Sequence, residues 1–429
     1  MTRRLLLVSY YFPPIAGSGV FRPLRMAKYL GRHGWDVTVL SVSENTRAPK
    51  DPSLLREIPP QLRVERVPSA EPRALLIALN KLGLRGLVRR VEPWLMLPDD
   101  QRGWVPFAAR RATQLARELR FDAVVTTSAP YSAHLVGQRL KRRTGIPWIA
   151  DFRDEWTTNP YLRDRYPTQW HLKFNRSLER EVLREADRVV CVSRPWLDAL
   201  HDLVPKLPGN KFVVLPNGYD GEHFRDEAPV APDRFRIVYT GMFYGPRSPT
   251  PFLEALDLVR QRQRIPADEI EVVFMGRSGW SDSVADESSR CSVRIVEQRP
   301  YFESLKVLRE AAVLLLVIPR EGGSGNHTGK LFPYLASGRP ILATAPEPNV
   351  AAELIRESRS GVVAPPDDPA AIAAAIESLY EDWKRAVPQR QDRELIARYE
   401  ADFQASRWAE LLEQVSLERP SVSNEGPGE

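Results

Sequence analysis

Residues 4–42, RLLLVSYYFPPIAGSGVFRPLRMAKYLGRHGWDVTVLSV, decide the fold. They open on a short apolar run, Arg4 to Tyr10, and cross a loop rich in proline and glycine. Helix-spaced apolar positions follow over Phe21 to Arg32, and a second apolar run, Trp35 to Val42, closes the segment. Short apolar runs bounded by Gly and Pro read as buried strands. A helix between two such runs brings the second strand back beside the first, which predicts a parallel sheet covered by helices.

The same alternation continues outward. DAVVT (122–126), a helical pattern over 132–143, IPWIAD (146–151), a second helical pattern over 171–186 and RVVCVS (188–193) extend the first series. A passage rich in Pro and Gly, 203–232, interrupts it. A new series follows with FRIVY (235–239), IEVVFM (270–275), SVRIV (292–296), AVLLLVI (312–318), PILA (340–343) and GVVA (361–364), separated by helical patterns over 250–263, 302–311 and 369–384. Two such series predict an α/β protein of two doubly wound halves. Ligands in sheets of this kind sit beyond the carboxyl ends of the strands, so the expected site is the crevice where the halves face each other. The expected division is 1–205, 206–391, a last helix over 392–415 and a polar, disordered tail over 416–429. One stretch breaks the rhythm: residues 71–120 carry leucine-rich helical patterns studded with Lys81, Arg85, Arg89, Arg90, Arg110 and Arg111. It reads either as a helical insertion with a solvated basic face or as an amphipathic element for an anionic membrane surface.

Composition narrows the classes. At 429 residues the chain is too long for a single small binding module, and 43% hydrophobic with 27% charged residues is ordinary for a folded soluble protein. Two cysteines without neighbouring thiols exclude a disulfide framework and a cysteine zinc site. The longest apolar stretch, 311–319, is about half the length that spans a bilayer. The start of the chain lacks the apolar core of a signal peptide, so a cytoplasmic location is expected, with a peripheral position on the membrane's inner face as an extension of it. A net charge of +6 suits anionic partners such as phosphates or headgroups and does not point to nucleic acid.

Five loops carry chemistry. Gly17, Ser18 and Gly19, in PPIAGSGVFR (13–22), sit between the first strand and helix, where backbone can approach an anion. ADFRDEW (150–156) places Arg153, Asp154 and Glu155 after an apolar strand. Asn217 lies in the turn of VVLPNGY (213–219), either as a ligand group or as a residue adopting left-handed geometry. Gly241 and Arg247 follow a strand in YTGMFYGPR (239–247), and Gly276 and Arg277 repeat that pattern. GGSGNHTGKLFPYLASGRP (322–340) is the richest. There Thr328 is a candidate N-cap, while Gly329, Lys330 and Leu331 open a helix that could seat a pyrophosphate. Ser324 and Leu331 depart from a Walker A loop, which argues against ATPase chemistry.

In their order along the chain, YYFPPIAGSGVFRPLRMAKYL, DFRDEW, VCVSRPWLDAL, VLPNGYD, YTGMF and TGKLFPYLASGRPILA resemble the family 4 glycosyltransferases. The resemblance implies the GT-B fold of two facing Rossmann-like domains. It also implies transfer of a sugar from a nucleotide-diphosphate sugar to a saccharide, lipid-linked or small-molecule acceptor, with retention of configuration and without a metal or other cofactor. By the same resemblance Gly17 and Gly19 face the donor phosphates, Arg153 stands where many members have a histidine beside the donor sugar, Asp154 matches the acid after it, and Arg247 replaces a diphosphate-binding lysine. Gly325 and Pro333 occupy the places of the family's paired glutamates, so the donor site is altered. Two alternatives accompany that difference: a noncatalytic relative serving a biosynthetic complex, and a nucleotide-sugar epimerase of the same architecture.

Overall fold

The computed structural model describes residues 2–46, 48–159, 168–225, 232–243, 245–276 and 293–418. The chain divides into two units, 1–215 with 404–429, and 216–403. The division falls about ten residues beyond the point suggested by the Pro/Gly-rich passage, because the short strand 212–214 still pairs with the first sheet.

Unit 1 holds a seven-stranded parallel sheet. Its strands are β1 (Arg3–Val8), β2 (Trp35–Val42), β3 (Arg63–Val67), β4 (Ala123–Ser128), β5 (Trp148–Phe152), β6 (Arg188–Cys191) and β7 (Phe212–Val214), in the order β3-β2-β1-β4-β5-β6-β7. β1 pairs on one side with β2 and on the other with β4, so the winding reverses between β1 and β4. The central strands are buried on both faces, as a sheet covered by helices requires. The edge strand β3, RVERV, buries only Val67 and so gives no apolar run to read in sequence. Helix α1 (Phe21–Tyr29) crosses from β1 to β2.

Residues 71–120 are two different things. Helices α2 (Pro72–Lys81) and α3 (Arg85–Leu95) form a hairpin around a small core of Leu76, Val88 and Met96. Helix α4 (Val105–Leu119) buries Ala108, Ala109, Ala112 and Leu115 and serves as the ordinary crossover into β4. Its Arg111 is paired with Glu65 and Glu118, while Arg110 and Arg117 are exposed. Helices α5 (Ser132–Thr144), α6 (Gln169–Glu185) and α7 (Arg194–Asp202) complete the crossovers of unit 1.

Unit 2 repeats the design with β8 (Phe235–Thr240), β9 (Ile270–Gly276), β10 (Val293–Glu297), β11 (Val313–Val317), β12 (Ile341–Thr344) and β13 (Gly361–Ala364), ordered β10-β9-β8-β11-β12-β13 and parallel throughout. Its crossover helices are α8 (Thr250–Arg262), α9 (Tyr301–Arg309), α10 (Leu331–Ser337), α11 (Val350–Glu357) and α12 (Pro369–Lys384). One core lies under α8 and α12, the other under α9, α10 and α11. The expected last helix is two: α13 (Arg393–Ala397), capped by Asp392, and α14 (Ala401–Leu417). From residue 404 onward α14 belongs to unit 1, where Arg22 lies over the Trp408 ring at 5.4 Å and Arg3 pairs with Glu413 at 2.8 Å. The helix thus includes 416 and 417, and the rest of the expected tail, from 419, is outside the described residues. No described helix is long and apolar enough to cross a membrane.

Candidate active site

The loops with chemical promise lie at carboxyl ends of strands, those after β1, β5 and β7 in unit 1 and after β8 and β11 in unit 2, and in each sheet the topology builds a crevice at the reversal, β1 with β4 and β8 with β11.

In unit 1 the loop after β1 turns at Gly17, whose φ of 117° disfavours any side chain, and enters a 3-10 turn over Ser18–Val20 before α1 begins. Gly17 and Ser18 are exposed. A Cβ on Gly19 would meet the Tyr11 ring at 3.1 Å and Arg153 at 3.5 Å, so the glycine there serves close packing against Arg153. Arg153 is buried, and its guanidinium donates to the main-chain oxygens of Ser128, Gly19 and Ala129, the last at 2.8 Å. Burial holds its pKa below the ordinary arginine value. Expected beside the transferred sugar, Arg153 clamps the β1 loop to the end of β4 through these bonds. Asp154 is solvent-exposed by surface area and makes no hydrogen bond among the described residues, yet the protein mass around it raises its pKa above the usual aspartate value by desolvation.

Behind this loop lies the fully buried Asp151, at the end of β5. Arg22 grips it through two bonds, Nε to Oδ2 at 2.9 Å and Nη2 to Oδ1 at 2.8 Å, and Thr127 donates to Oδ2 at 2.7 Å. Arg22 also donates to the Leu215 carbonyl at 2.9 Å, linking α1 to the end of the unit 1 sheet. Further along, Trp156 stacks on Tyr131 at 4.9 Å, and Thr157 donates through N at 3.3 Å and through its hydroxyl to the buried Glu179. Burial pushes the Glu179 carboxyl up to about 7 against the Thr157 bonds that lower it.

In unit 2 the loops after β8 and β11 bring two cations together. Lys330 directly precedes α10, and its Nζ sits 3.9 Å from the centroid of the Tyr239 ring, buried and without a hydrogen-bond partner. Burial, then the nearby positive charge of Arg247, drive its pKa well below the lysine norm. Arg247 is itself buried. Tyr334 on α10 accepts from Thr240 N at 3.0 Å, which pins α10 to the end of β8 and holds Lys330 over Tyr239. A desolvated ammonium gains about 2 kcal/mol from a ring face, well short of what two clustered buried cations lose in hydration. Among the described residues Lys330 Nζ therefore has the ring face but no counter-charge within hydrogen-bond reach. Thr328 Oγ and His327 Nδ1 in the same loop are also buried without hydrogen-bond partners, and burial lowers the His327 pKa to about 4.

Thr328 is not the N-cap of α10: its backbone is left-handed, φ 54°, its N–H is bonded to Asn326 in an Asx turn at 2.9 Å, and Lys330 holds the cap position. The Leu331 side chain is fully buried in the unit 2 core and presents only main chain to the loop. Gly329 is exposed, Gly325 is buried, and Pro333 lies in the first turn of a helix only seven residues long. The helix dipole is correspondingly short. Asn217 does not have left-handed backbone, so that reason for its presence falls away. Arg277 lies outside the described residues. Sequence reading missed the Arg22 and Asp151 pair and the roles of Tyr239 and Tyr334. An acid closing an apolar strand, IPWIAD, was the one available signal for the pair.

Gly241 has φ of 127°, and a Cβ there would stand 2.6 Å from Lys330 Nζ. Gly241→Ala is therefore expected to displace the ammonium and weaken nucleoside diphosphate affinity at least about tenfold, a cost of about 1.4 kcal/mol, measured by calorimetric titration. Unchanged affinity would remove Lys330 from the binding surface.

Residues 23–223 match the model of Glycosyltransferase Family 4, and residues 234–382 that of Glycosyl transferases group 1. No curated protein matches the sequence. Among solved structures, the chain is similar to sucrose-phosphate synthase from Thermosynechococcus elongatus, with 17% identity, TM-score 0.63, and coverage of 96% of this chain and 99% of that one. It is also similar to an α,α-trehalose-phosphate synthase (UDP-forming) from Burkholderia xenovorans, with 14% identity, TM-score 0.65, and coverage of 95% and 100%. A lipopolysaccharide outer core galactosyltransferase gives 12% identity, TM-score 0.57, and coverage of 96% and 99%. Identities this low establish a shared GT-B fold and no more. With one match over each unit and two reversal-point loops where such a fold places them, the chain belongs to glycosyltransferase family 4.

Proposed function

We propose that the protein moves a sugar from a nucleotide-diphosphate sugar to a hydroxyl acceptor with retention of configuration and without a metal ion. The observation that carries this reading is the buried, partnerless ammonium of Lys330 beside Arg247 at the β8 and β11 reversal. As the bond between the anomeric carbon and the diphosphate breaks, negative charge grows on the leaving oxygens, and two preorganised cations stabilise it more than they stabilise the ground state. The acceptor oxygen takes the vacated bond, and its proton leaves with the nucleoside diphosphate. Arg153 sets the β1 loop, and the resemblance assigns the neighbouring Asp154 to the substrate side of the reaction. A lipid-linked acceptor at the inner membrane surface belongs to the same proposal and is supported by the basic α2–α3 hairpin.

Pro333 and Gly325 favour a second reading, a noncatalytic relative, because neither side chain can accept a bond from a ribose hydroxyl. A panel of UDP, GDP and ADP sugars separates the two. The expected result is stabilisation of about 2.7 kcal/mol by one nucleotide class at about one hundred times Kd, with release of that nucleoside diphosphate when acceptor is added. Stabilisation without release supports the noncatalytic protein, sugar isomerisation without acceptor supports an epimerase, and no stabilisation by any nucleotide defeats the proposal.

A further inference from the structure

Every residue from Asn80 to Leu87, the tip of the α2–α3 hairpin, is exposed. Three of them are leucines: Leu82 is 73% exposed, Leu84 44% and Leu87 48%. The hairpin has already closed its inner face on Leu76, Val88 and Met96, so these three are left over from its core. Between residues 72 and 95 the sequence carries five basic side chains, Arg73, Lys81, Arg85, Arg89 and Arg90, against one acid, Glu92. All five are exposed, and none forms an ion pair among the described residues. Among the described residues elsewhere in unit 1 some cations are matched, as Arg111 is by Glu65, Lys141 by Asp187 and Arg142 by Glu185, and others such as Arg110 and Arg117 on α4 are not; what sets the tip apart is that its unmatched cations alternate with exposed leucines.

The base of the hairpin is tied down. Tyr10 donates to Glu71 at the start of α2, Arg102 donates to the Trp94 carbonyl at 3.2 Å, and the Trp94 ring lies 4.1 Å from that of His171. An anchored base with apolar residues alternating with unmatched cations at its free end suits a surface that is apolar inside and negatively charged at its boundary. A soluble protein partner of acidic character would answer the cations and leave the leucines at the tip without a reason.

Building on the proposed transfer to a lipid-linked acceptor, we propose that this tip inserts into an anionic bilayer, Leu82, Leu84 and Leu87 entering the acyl boundary while Lys81, Arg85 and Arg89 meet lipid phosphates. This is insertion, which differs from adsorption by charge alone: each cation near an anionic leaflet adds about fivefold to binding and is screened by salt, whereas the leucine contribution persists in salt.

The full-length protein is to be co-sedimented with vesicles of phosphatidylcholine alone and with about one third phosphatidylglycerol, at about 0.1 M and 0.5 M NaCl. Expected is binding to the anionic vesicles that weakens but survives at high salt. Leu82→Asp with Leu84→Asp should weaken it about one hundredfold or more. Arg85→Gln with Arg89→Gln should weaken it about twentyfold or more at low salt and leave the residue at high salt. The inference is overturned if the wild type does not bind, if the leucine variant binds like the wild type, or if the leucines prove to be a contact between copies. The last would appear as a wild-type dimer in sedimentation velocity that the leucine variant dissolves, with no vesicle binding. Thermal stabilisation by nucleoside diphosphate, measured on the same samples, keeps the two proposals apart. Its retention without vesicle binding sinks only the tip, and vesicle binding without it sinks only the transfer reaction.

Discussion

Lys330→Met should lower kcat/KM for sugar transfer by about 10²–10³-fold while raising the stability of the ligand-free protein by about 1–3 kcal/mol. The two effects have one cause. In the ligand-free protein the Lys330 nitrogen is buried on the Tyr239 ring with no hydrogen-bond partner and with Arg247 close by, so it costs stability. In the proposed reaction the departing diphosphate supplies the charge that this ammonium lacks in the ligand-free protein. A thioether of similar length fills the space and removes the charge. The pH dependence gives a second signature. A lysine whose folded pKa is depressed carries more protons unfolded than folded between its folded value and about 10.4, so wild-type stability climbs with pH through that window. The Met variant lacks that climb. Thermal unfolding across pH, together with initial rates, checks both halves, and a variant that is slower but less stable than wild type would show that Lys330 is a structural lysine.

Arg22→Ala should cost about 3–5 kcal/mol and should do so through unit 1. Asp151 is wholly inside, and without Arg22 it keeps only the Thr127 hydroxyl among the bonds described here, a buried carboxylate with too little to hold its charge. The same truncation takes the donor from the Leu215 carbonyl and the cation from the Trp408 ring, loosening α14 where it joins unit 1. Removing both charges, Arg22→Met with Asp151→Leu, should recover part of the loss, because the desolvation of an unmatched ion disappears with the ion. Urea denaturation followed by tryptophan fluorescence, read beside calorimetry, measures the difference. If Arg22→Ala is as stable as wild type, the pair contributes nothing and the loop after β5 is held by other contacts.

The architecture was readable because doubly wound sheets write themselves into short segments. A central parallel strand such as LLLV at 5–8 or VLLLV at 313–317 must be apolar on both faces, and the crossover must be long enough for a helix. Where a strand lies at an edge that demand lapses, which is why RVERV at 63–67 went unread. The segment 71–120 misled for a related reason. Helix α4 and the α2–α3 hairpin share one composition, and only packing distinguishes the helix that covers the sheet from the pair whose tip faces solvent.

That these loops follow strands was readable by pattern, since a glycine turn after an apolar run marks a strand's carboxyl end. What each cation does there was beyond pattern. Arg153 and Lys330 look alike in sequence, each a basic residue in a loop following a strand. One donates to carbonyls from residues 128, 129 and 19, and the other meets the ring of residue 239 and no hydrogen-bond acceptor. By itself, then, the amino-acid order determined two α/β halves and where their loops emerge, because strand and helix periods are local. Only tertiary structure decided which cation is satisfied and which is buried without a hydrogen-bond partner, because β1 lies beside β4 and β8 beside β11, and that neighbourhood follows from the winding of each whole sheet.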